Sequence, residues 1–344
     1  MSRELSFYTI TFFFNYLKKY SIIIMVIYMK KVVVLGGGTG MSNLLRGLKQ
    51  YPLDITAIVT VCDDGKSTGI LREEFNIPAV GDIRRVLVSL SETEPLVMDL
   101  FNYRFNTSSD LDGHTVGNLL LTAASEITGN LSDGIEALSK VMNLKGKVVP
   151  LTEDNVVLMA EMQDGTIVEG EHHITEKKSK IKKLYYKEEA VATKEALEAI
   201  KKADLIIFSM GSLFTSIIPN LLIDSVVKEI GKSKAKLMYV CNMMTQPGET
   251  DDFTVTDHVR VLNEYLGKRN IDLVIANTGK IDEKMAKFYE TQEQKDPVIY
   301  DSENFDKYNL EVINDDFTYI TDNNLLRHDN IKVGFHIFYY LMKR

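Results

Sequence analysis

The 344-residue sequence has only two cysteines, and this scarcity excludes a fold built on a disulfide framework. Cys62 and Cys241 are far apart, and each follows an apolar run typical of a strand. We therefore expect both thiols to be buried in a cytoplasmic protein, where the reducing environment keeps cysteines free. A redox pair formed by the two thiols is the alternative.

The sequence also lacks an uninterrupted apolar stretch of the ~20 residues that span a bilayer. Its most apolar segment, residues 1–28, is broken by Lys18 and Lys19 and has no small-residue cleavage site before Met29. We expect neither a stable membrane span nor a signal peptide. Residues 1–28 are interpreted as a non-native or disordered extension upstream of Met29, with an interfacial membrane anchor as the alternative.

A concentrated basic surface is missing as well. The formal net charge is -8, and the lysines and arginines are scattered along the chain, so we expect no nucleic-acid partner. A small anion such as a nucleotide needs only a local pocket and remains possible. No internal repeat or low-complexity linker follows Met29, which favours a single domain over residues 29–344.

Short apolar runs that alternate with helical periodicity are abundant and predict a mostly parallel α/β sheet. The predicted core strands are residues 32–35, 55–61, 205–209, 236–240 and 273–276. The predicted helices are residues 40–49, 83–91, 116–128, 194–203, 217–230 and 255–266. Residues 148–187 differ: alternation around the turn Asp164-Gly165 predicts an antiparallel hairpin insert.

A glycine-rich loop follows the first predicted strand. Residues 36–40 read Gly-Gly-Gly-Thr-Gly just before a helix, a pattern that lets the backbone approach a phosphate and offers free N–H donors. Met41 stands where the last glycine of a dinucleotide fingerprint would be, so the loop indicates phosphate or nucleotide binding rather than NAD. A plain tight turn is the alternative.

Polar groups are also expected at the ends of other strands. Asp63 and Asp64 follow the second strand, where they could take a ribose hydroxyl, hold Mg²⁺ or act as a base. Asp82 is placed either to cap the helix that follows it or to contact the ligand. His114, in a loop at another helix start, is the best placed of the six histidines for chemistry.

Two further loops carry hydrogen-bonding side chains. Residues 209–216 are rich in small hydroxylic residues suited to an anion, and residues 241–250 carry amides that could read a base or a sugar. Because such loops meet at one edge of a parallel sheet, they predict a nucleotide cleft. The predicted binding residues are Gly37, Gly38, Thr39, Gly40, Asp63, Ser67, Asp82, Asn118, Gly211, Ser212, Thr215, Asn242 and Thr245.

Seven segments together resemble one known family, the gluconeogenesis factors (YvcK-type proteins), which are homologous to 2-phospho-L-lactate transferase (CofD-like). They are residues 34–40 (VLGGGTG), 54–61 (DITAIVTV), 81–84 (GDIR), 113–119 (GHTVGNL), 211–216 (GSLFTS), 241–246 (CNMMTQ) and 326–328 (LRH). The chain departs from the family in residues 209–212, where Ser-Met-Gly-Ser replaces the usual Gly-Pro-Gly-Ser.

The resemblance implies a Rossmann-like three-layer sandwich and a cytoplasmic protein that binds a uridine-diphosphate sugar such as UDP-N-acetylglucosamine. It also implies a role in cell shape and cell-wall synthesis during growth on gluconeogenic carbon sources. A homo-oligomer and an unidentified protein partner are possible under this reading.

Three functions compete. The first is a nucleotide-sugar-binding regulator without turnover, favoured by the absence of an obvious nucleophile paired with a base. The second is a Mg²⁺-dependent transferase of a phospholactyl-like group, with Asp63 or Asp64 as metal ligands and His114 as general base. The third, an NAD-dependent oxidoreductase, rests on fold analogy alone. No metal site is assigned with certainty, and Asp63, Asp64 and His114 are the candidate catalytic residues.

Overall fold

The computed structural model describes residues 29–343, so the interpretation of residues 1–28 lies outside the described part of the chain. Its main element is a sheet of seven parallel strands. Twelve strands are numbered along the chain, of which the main sheet contains Lys30–Gly36 (β1), Leu53–Val59 (β2), Lys147–Pro150 (β3), Leu205–Phe208 (β7), Lys236–Val240 (β8), Leu273–Asn277 (β9) and Glu311–Asp315 (β10). The smaller sheets contain Leu158–Met162 (β4), Ile167–Glu169 (β5), Ile181–Tyr186 (β6), Thr318–Ile320 (β11) and Leu326–His328 (β12).

The strand order in the main sheet is β3-β2-β1-β7-β8-β9-β10. All five strands predicted from apolar runs belong to it, and the prediction of a Rossmann-like α/β fold is confirmed. The apolar runs arise because central strands such as β1 and β7 are buried on both faces. The two edge strands were not predicted, since β3 has four residues and β10 is only partly buried.

Twelve α-helices connect and cover the strands of the described chain. They are Gly38–Leu48 (α1), Lys66–Phe75 (α2), Gly81–Leu90 (α3), Pro95–Asn102 (α4), Val116–Thr128 (α5), Leu131–Val141 (α6), Glu171–Lys177 (α7), Lys194–Lys202 (α8), Asp224–Lys232 (α9), Val255–Tyr265 (α10), Glu283–Phe288 (α11) and Asn330–Met342 (α12).

The helix predicted over residues 217–230 is wrong in its first half. A π-helical turn, Leu213–Ile217, is followed by a 3₁₀ turn, Ile218–Leu221, and only then by α9. Pro219 explains the difference, because proline has no N–H to continue an α-helical ladder. The result is an irregular segment directly after the end of β7.

Residues 148–187 begin with the last three residues of β3, which pair with β2 in the main sheet. The rest of the segment contains the expected antiparallel hairpin, as a three-stranded sheet of order β5-β4-β6 together with α7. The insert contacts the 3₁₀ turn that follows β7, because Tyr186 donates a 2.9 Å hydrogen bond from its hydroxyl to the carbonyl of Pro219. The insert therefore packs beside the loop that follows β7.

The crevice of the main sheet lies between β1 and β7. The chain leaves β1 toward β2 on one side and later places β7 on the other side, so the loops after these strands diverge. Open α/β sheets bind ligands at such a topological switch point, outside the carboxyl ends of the strands. Both cysteines are buried and free, and no helix within residues 29–343 is long and apolar enough to cross a membrane.

Candidate functional site

The glycine loop turns directly into α1 at the switch point. Gly38 has a φ of +66°, in the region that favours glycine, and a side chain on Gly40 would overlap the backbone of Met210. Gly37 is the N-cap of α1 and provides no side-chain hydrogen bond to the helix start. The first turn of α1 therefore presents backbone donors next to the loop after β7, the arrangement that binds phosphate.

Asp82 holds this loop rather than capping α3. The N-cap of α3 is Val80, which corrects the capping alternative, and the Asp82 carboxylate accepts a 2.7 Å hydrogen bond from the N–H of Gly38. Arg85 forms a 2.9 Å ion pair with the other oxygen. Burial raises the pKa of Asp82 to about 6, and the nearby carboxylate of Asp63 adds to the shift. Asp82 is thus a buried anchor of the glycine loop.

The two aspartates that follow β2 have different hydrogen-bond partners. Asp63 accepts hydrogen bonds from the N–H of Gly65 at 3.0 Å and the hydroxyl of Thr68 at 3.3 Å. Asp64 instead accepts a 2.8 Å hydrogen bond from the N–H of His172, at the start of α7. The two carboxylates are thus held by separate partners, Asp63 by its own loop and Asp64 by the insert.

A fourth carboxyl group, Glu171, joins the acidic residues from the insert. Burial raises the pKa of Glu171 to about 8, a hydrogen bond from Thr215 opposes the shift, and the carboxylates of Asp63, Asp82 and Asp64 add to it. Even so, residues 29–343 contain no cluster of three or more His, Cys, Asp or Glu side chains able to hold a metal ion. Glu171 was not predicted, because α7 reaches the site only through the fold of the insert.

His114 lies in a buried polar network beside the acidic loop. Its Nδ1 is 3.1 Å from the hydroxyl of Ser67, and the Asn118 amide lies 3.5 Å from the same hydroxyl. The side-chain oxygen Oδ1 of Asn118 accepts a 3.1 Å hydrogen bond from Nε of Arg84. Burial lowers the pKa of Arg84 to about 10, and the neighbouring Arg85 and Arg104 add to the shift. The structure thus brings Ser67, Asn118 and His114 together in one hydrogen-bonded group.

The loop after β7 is organised by Ser212. Its hydroxyl oxygen accepts a 3.0 Å hydrogen bond from the N–H of Thr215 and caps the π-helical turn. The Ser212 hydroxyl also hydrogen-bonds the buried carboxyl group of Glu249, and the side-chain amide of Gln246 donates to the same carboxyl at 2.6 Å. Burial raises the pKa of Glu249 to about 7. Glu249 was not predicted, since nothing in the sequence pattern places it behind Ser212.

Asn242 and Thr245 brace the loop after β8. The Asn242 amide donates a 3.0 Å hydrogen bond to the carbonyl of Gly211 and so ties the loops after β7 and β8 together. Thr245 exchanges two hydrogen bonds with the backbone of Asp296, at 2.7 and 2.9 Å. Both residues hold the shape of the site through their side chains.

A cavity of about 320 Å³ opens between the glycine loop and the loops after β7 and β8. Seven predicted binding residues line it: Gly37, Thr39, Gly40, Gly211, Ser212, Asn242 and Thr245. The other six do not line it: Gly38, Asp63, Ser67, Asp82, Asn118 and Thr215. A larger cavity of about 570 Å³ lies against β3 between α6 and α8, and none of the strand-end loops lines it.

Two cationic side chains complete the smaller cavity from distant parts of the chain. Lys295 precedes β10 and forms a 2.6 Å ion pair with Glu293, while Arg327 comes from β12. Arg327 donates a 2.8 Å hydrogen bond to the carbonyl of Leu326, and within residues 29–343 it forms no ion pair. The sequence pattern missed both residues as ligand contacts, although Arg327 belongs to one of the segments that carry the family resemblance.

Comparisons with known proteins agree over most of the chain. A family model described as 2-phospho-L-lactate transferase CofD matches residues 32–318. A gluconeogenesis factor of Bacillus subtilis (strain 168) is 48% identical over 306 residues, covering 88% of this chain and 96% of that protein. A gluconeogenesis factor of Halalkalibacterium halodurans is 45% identical over 306 residues, covering 89% of this chain and 94% of that protein.

The fold is also similar to that of a solved structure. A crystal structure of a Bacillus halodurans protein superimposes with a TM-score of 0.87 at 44% sequence identity, covering 90% of this chain and 99% of that chain. A second crystal structure, described as a member of the UPF0052 family from the same organism, has a TM-score of 0.86.

Proposed function

The chain belongs to the CofD family and, within it, to the gluconeogenesis factors, and from this membership we propose that it binds a uridine-diphosphate sugar of the UDP-N-acetylglucosamine type. In this proposal the protein is a cytoplasmic regulator of cell shape and cell-wall synthesis during growth on gluconeogenic carbon sources. Occupancy of the cavity, rather than turnover, carries the signal.

The distribution of donors around the cavity of about 320 Å³ is the observation that supports this proposal most. The start of α1, where Asp82 holds the N–H of Gly38 and the N-cap Gly37 has no capping side chain, lies in one wall, and Lys295 and Arg327 contribute two cations to the same cavity. Backbone N–H groups and cations are the groups that bind a diphosphate in proteins. The volume is within the range of about 300–1,000 Å³ typical of small-ligand sites.

The remaining lining suits the uncharged parts of a nucleotide sugar. Met243, Tyr289 and Leu326 form a small apolar cluster, and all three line the cavity. The Tyr289 ring suits a base and the aliphatic side chains suit an acetamido methyl group, while Gln246 and Asn242 offer amide groups to a base or a sugar.

A transferase related to 2-phospho-L-lactate transferase is the second candidate. The observation that favours it is the buried pair of Ser67 and His114, whose hydroxyl and Nδ1 are 3.1 Å apart beside the Asp63 loop. In that case His114 would act as a general base on an acceptor group bound on the β2 side of the glycine loop. Such an enzyme would consume its nucleotide donor, whereas a regulator would release it unchanged.

Titration calorimetry of UDP-N-acetylglucosamine into the protein, with and without Mg²⁺, tests the proposal when the recovered nucleotide is analysed by chromatography. Saturable binding with intact nucleotide supports the regulator. Metal-dependent cleavage of the nucleotide supports the transferase, with His114→Ala as the variant that should abolish it. No binding at millimolar ligand contradicts the nucleotide-sugar assignment.

Replacing Arg327 by alanine should weaken nucleotide-sugar binding at least tenfold. The reason is that a half-buried guanidinium in the cavity wall is lost, and a charge-assisted hydrogen bond to phosphate contributes about 1.5–3 kcal/mol. Arg46→Ala is the matched control, because Arg46 is exposed near the far end of α1 and outside the cavity. Equal affinities of the two variants would remove Arg327 from the site.

A further inference from the structure

A buried carboxyl group lies directly behind the cavity wall. Glu249 is 5% exposed, and its two oxygens contact the hydroxyl of Ser212 and the side-chain amide of Gln246, the latter at 2.6 Å. The backbone N–H of Phe214 also hydrogen-bonds this carboxyl group. Because Ser212 and Gln246 both line the cavity, one carboxyl group sets the orientation of two possible ligand contacts.

The hydrogen bonds of Ser212 are committed when Glu249 is ionised. A carboxylate only accepts hydrogen bonds, so the Ser212 hydroxyl must donate its single hydrogen bond to Glu249. Its oxygen meanwhile accepts the N–H of Thr215 at 3.0 Å. Phosphate oxygens need donors, and an ionised Glu249 therefore leaves Ser212 unable to donate to a phosphate and adds a like charge behind it.

Protonation of Glu249 reverses the direction of this hydrogen bond. A neutral carboxyl group can donate its own proton to the Ser212 oxygen, which frees the serine hydroxyl to donate into the cavity. The Ser212 oxygen would then accept from Glu249 in place of the Thr215 hydroxyl, which lies 2.9 Å away. The Thr215 hydroxyl can donate to Glu171 instead. The contact with Gln246 is unchanged, because the other oxygen of Glu249 still accepts from it.

We propose that Glu249 is a positioning residue that takes up a proton when a diphosphate ligand binds, and thereby converts Ser212 into a donor to the ligand. The inference rests on the proposed nucleotide-sugar function and specifies how the same cavity is regulated. Its consequence is that ligand affinity depends on pH through a residue that does not line the cavity.

The surroundings of Glu249 make both protonation states accessible near neutral pH. Burial raises its pKa to about 7, while the Ser212 hydroxyl, the Phe214 N–H and the charge of Lys295 oppose that shift. Behind it, a void of about 280 Å³ separates Glu249 from β6 and α10. The charged or titratable groups on that side are Lys180, Lys182, Asp251, Arg260, Glu264 and Tyr265.

Calorimetry of UDP-N-acetylglucosamine between pH 6 and pH 8.5, in pairs of buffers that differ in ionisation enthalpy, measures this coupling. The ligand is a diphosphate diester without the titrating phosphate of UDP, so proton uptake reports on the protein. The wild-type protein should take up close to one proton per ligand at pH 8.5. Its affinity should fall roughly thirtyfold between pH 6 and pH 8.5, because the bound state requires the protonated carboxyl group.

Glu249→Gln imitates the protonated state, because its amide can donate to Ser212 while its oxygen accepts from Gln246. This variant should bind at pH 8.5 as tightly as the wild type does at pH 6, without proton uptake. Ser212→Ala lacks the donor in both states of Glu249, so it should bind weakly even at pH 6 and keep only the part of the pH dependence that comes from the charge of Glu249. Glu171→Gln is the matched control, since Glu171 has a raised pKa near the site but should leave the pH dependence of binding in place.

A Glu249→Gln variant that keeps the wild-type pH dependence of binding would overturn the inference. A Glu171→Gln variant that loses this pH dependence would also overturn it. Wild-type binding without proton uptake would overturn the inference as well, but it would leave the proposed nucleotide-sugar function intact. Absence of binding in the wild type at every pH would contradict the proposed function itself, and the coupling with it.

Discussion

Individual buried carboxyl groups distinguish this site from an ordinary strand-end loop. Asp82, Glu249 and Glu171 have pKa values that burial raises to about 6, 7 and 8. Each group is held by hydrogen bonds yet is costly to ionise, since burial disfavours the charged form. Perturbed acids of this kind concentrate at functional sites, and here all three surround the glycine loop and the cavity beside it.

The pH dependence of stability follows from these residues together with two histidines. Folding raises the pKa of Glu171 and Glu249 above their unfolded values, so the folded state binds more protons and stability falls as pH rises from about 4.5 to 8. Burial lowers the pKa of His258 and His328 to about 4, so stability falls as pH drops from 6.5 toward 4. Asp82, whose pKa burial raises to about 6, acts in the same direction as the two glutamates. Without ligand, the acids and the histidines therefore oppose each other between about pH 4.5 and 6.5, and the free energy of unfolding should fall most clearly above pH 6.5.

Urea unfolding at pH 4.5, 6 and 8 measures this profile. Glu171→Gln should raise the free energy of unfolding at pH 8 by about 1–2 kcal/mol, because it removes a partly buried charge. Glu264→Gln is the control, since that side chain is 58% exposed and should change little. Stability that increases steadily from pH 6 to pH 8 would show that these acids are not raised in the folded state.

Residues whose role is local were predicted from the sequence, and those whose role depends on distant partners were not. Gly37 and Gly40 were identified because close backbone approach requires glycine whatever the rest of the fold does. Glu171, Glu249 and Lys295 reach the site from the insert and from loops far along the chain, so no local pattern marks them. The separate hydrogen-bond partners of Asp63, in its own loop, and Asp64, in the insert, were not apparent from the sequence either.

Helix packing ties the glycine loop to the C-terminal part of the chain. Gly47 in α1 lies against the backbone of Asn330 at the start of α12, and a Cβ on Gly47 would overlap that backbone. Gly334 in α12 faces Gly47 in the same contact. The helix that begins with the phosphate-binding loop is therefore positioned by the helix that follows the strand carrying Arg327.

Gly47→Ala should destabilise the protein by about 2 kcal/mol and weaken ligand binding. The added methyl group forces α1 and α12 apart, an overpacking cost of about 1–3 kcal/mol that exceeds the gain of about 1 kcal/mol in helix propensity. Gly231→Ala in α9 is the matched control, because no atom lies within 4 Å of its Cβ position, and it should be neutral or slightly stabilising. Chemical denaturation of both variants makes the comparison, and equal stability would contradict this account of the contact.

Regular elements were predicted well where their pattern is strong. Residues 116–128 form a helix with the predicted bounds, because Thr115 caps its start and Gly129 ends it. The helix predicted from residue 217 fails at Pro219, and six helices were not predicted: α2, α4, α6, α7, α11 and α12. The edge strand β10 escaped prediction because a partly exposed strand lacks the continuous apolar run of a central one, and β3 because its apolar run is only Val148 and Val149.

The whole molecule places the site through its strand order. Since β1 lies between β2 and β7, the loops after β1 and β7 separate and leave a crevice into which the loops after β8 and β12 also project. The sequence predicted parallel strands and a ligand edge, but it could not determine which loops meet. That information is contained in the topology, which brings Arg327 within the same cavity as Gly37.

A crystal structure of the protein grown with UDP-N-acetylglucosamine tests the central claim most directly. The account predicts electron density for the diphosphate between residues 37–40 and the cations of Lys295 and Arg327, with Ser212 within hydrogen-bond distance of a phosphate oxygen. Density for the nucleotide sugar in the larger cavity against β3, or none at a saturating concentration, would contradict it.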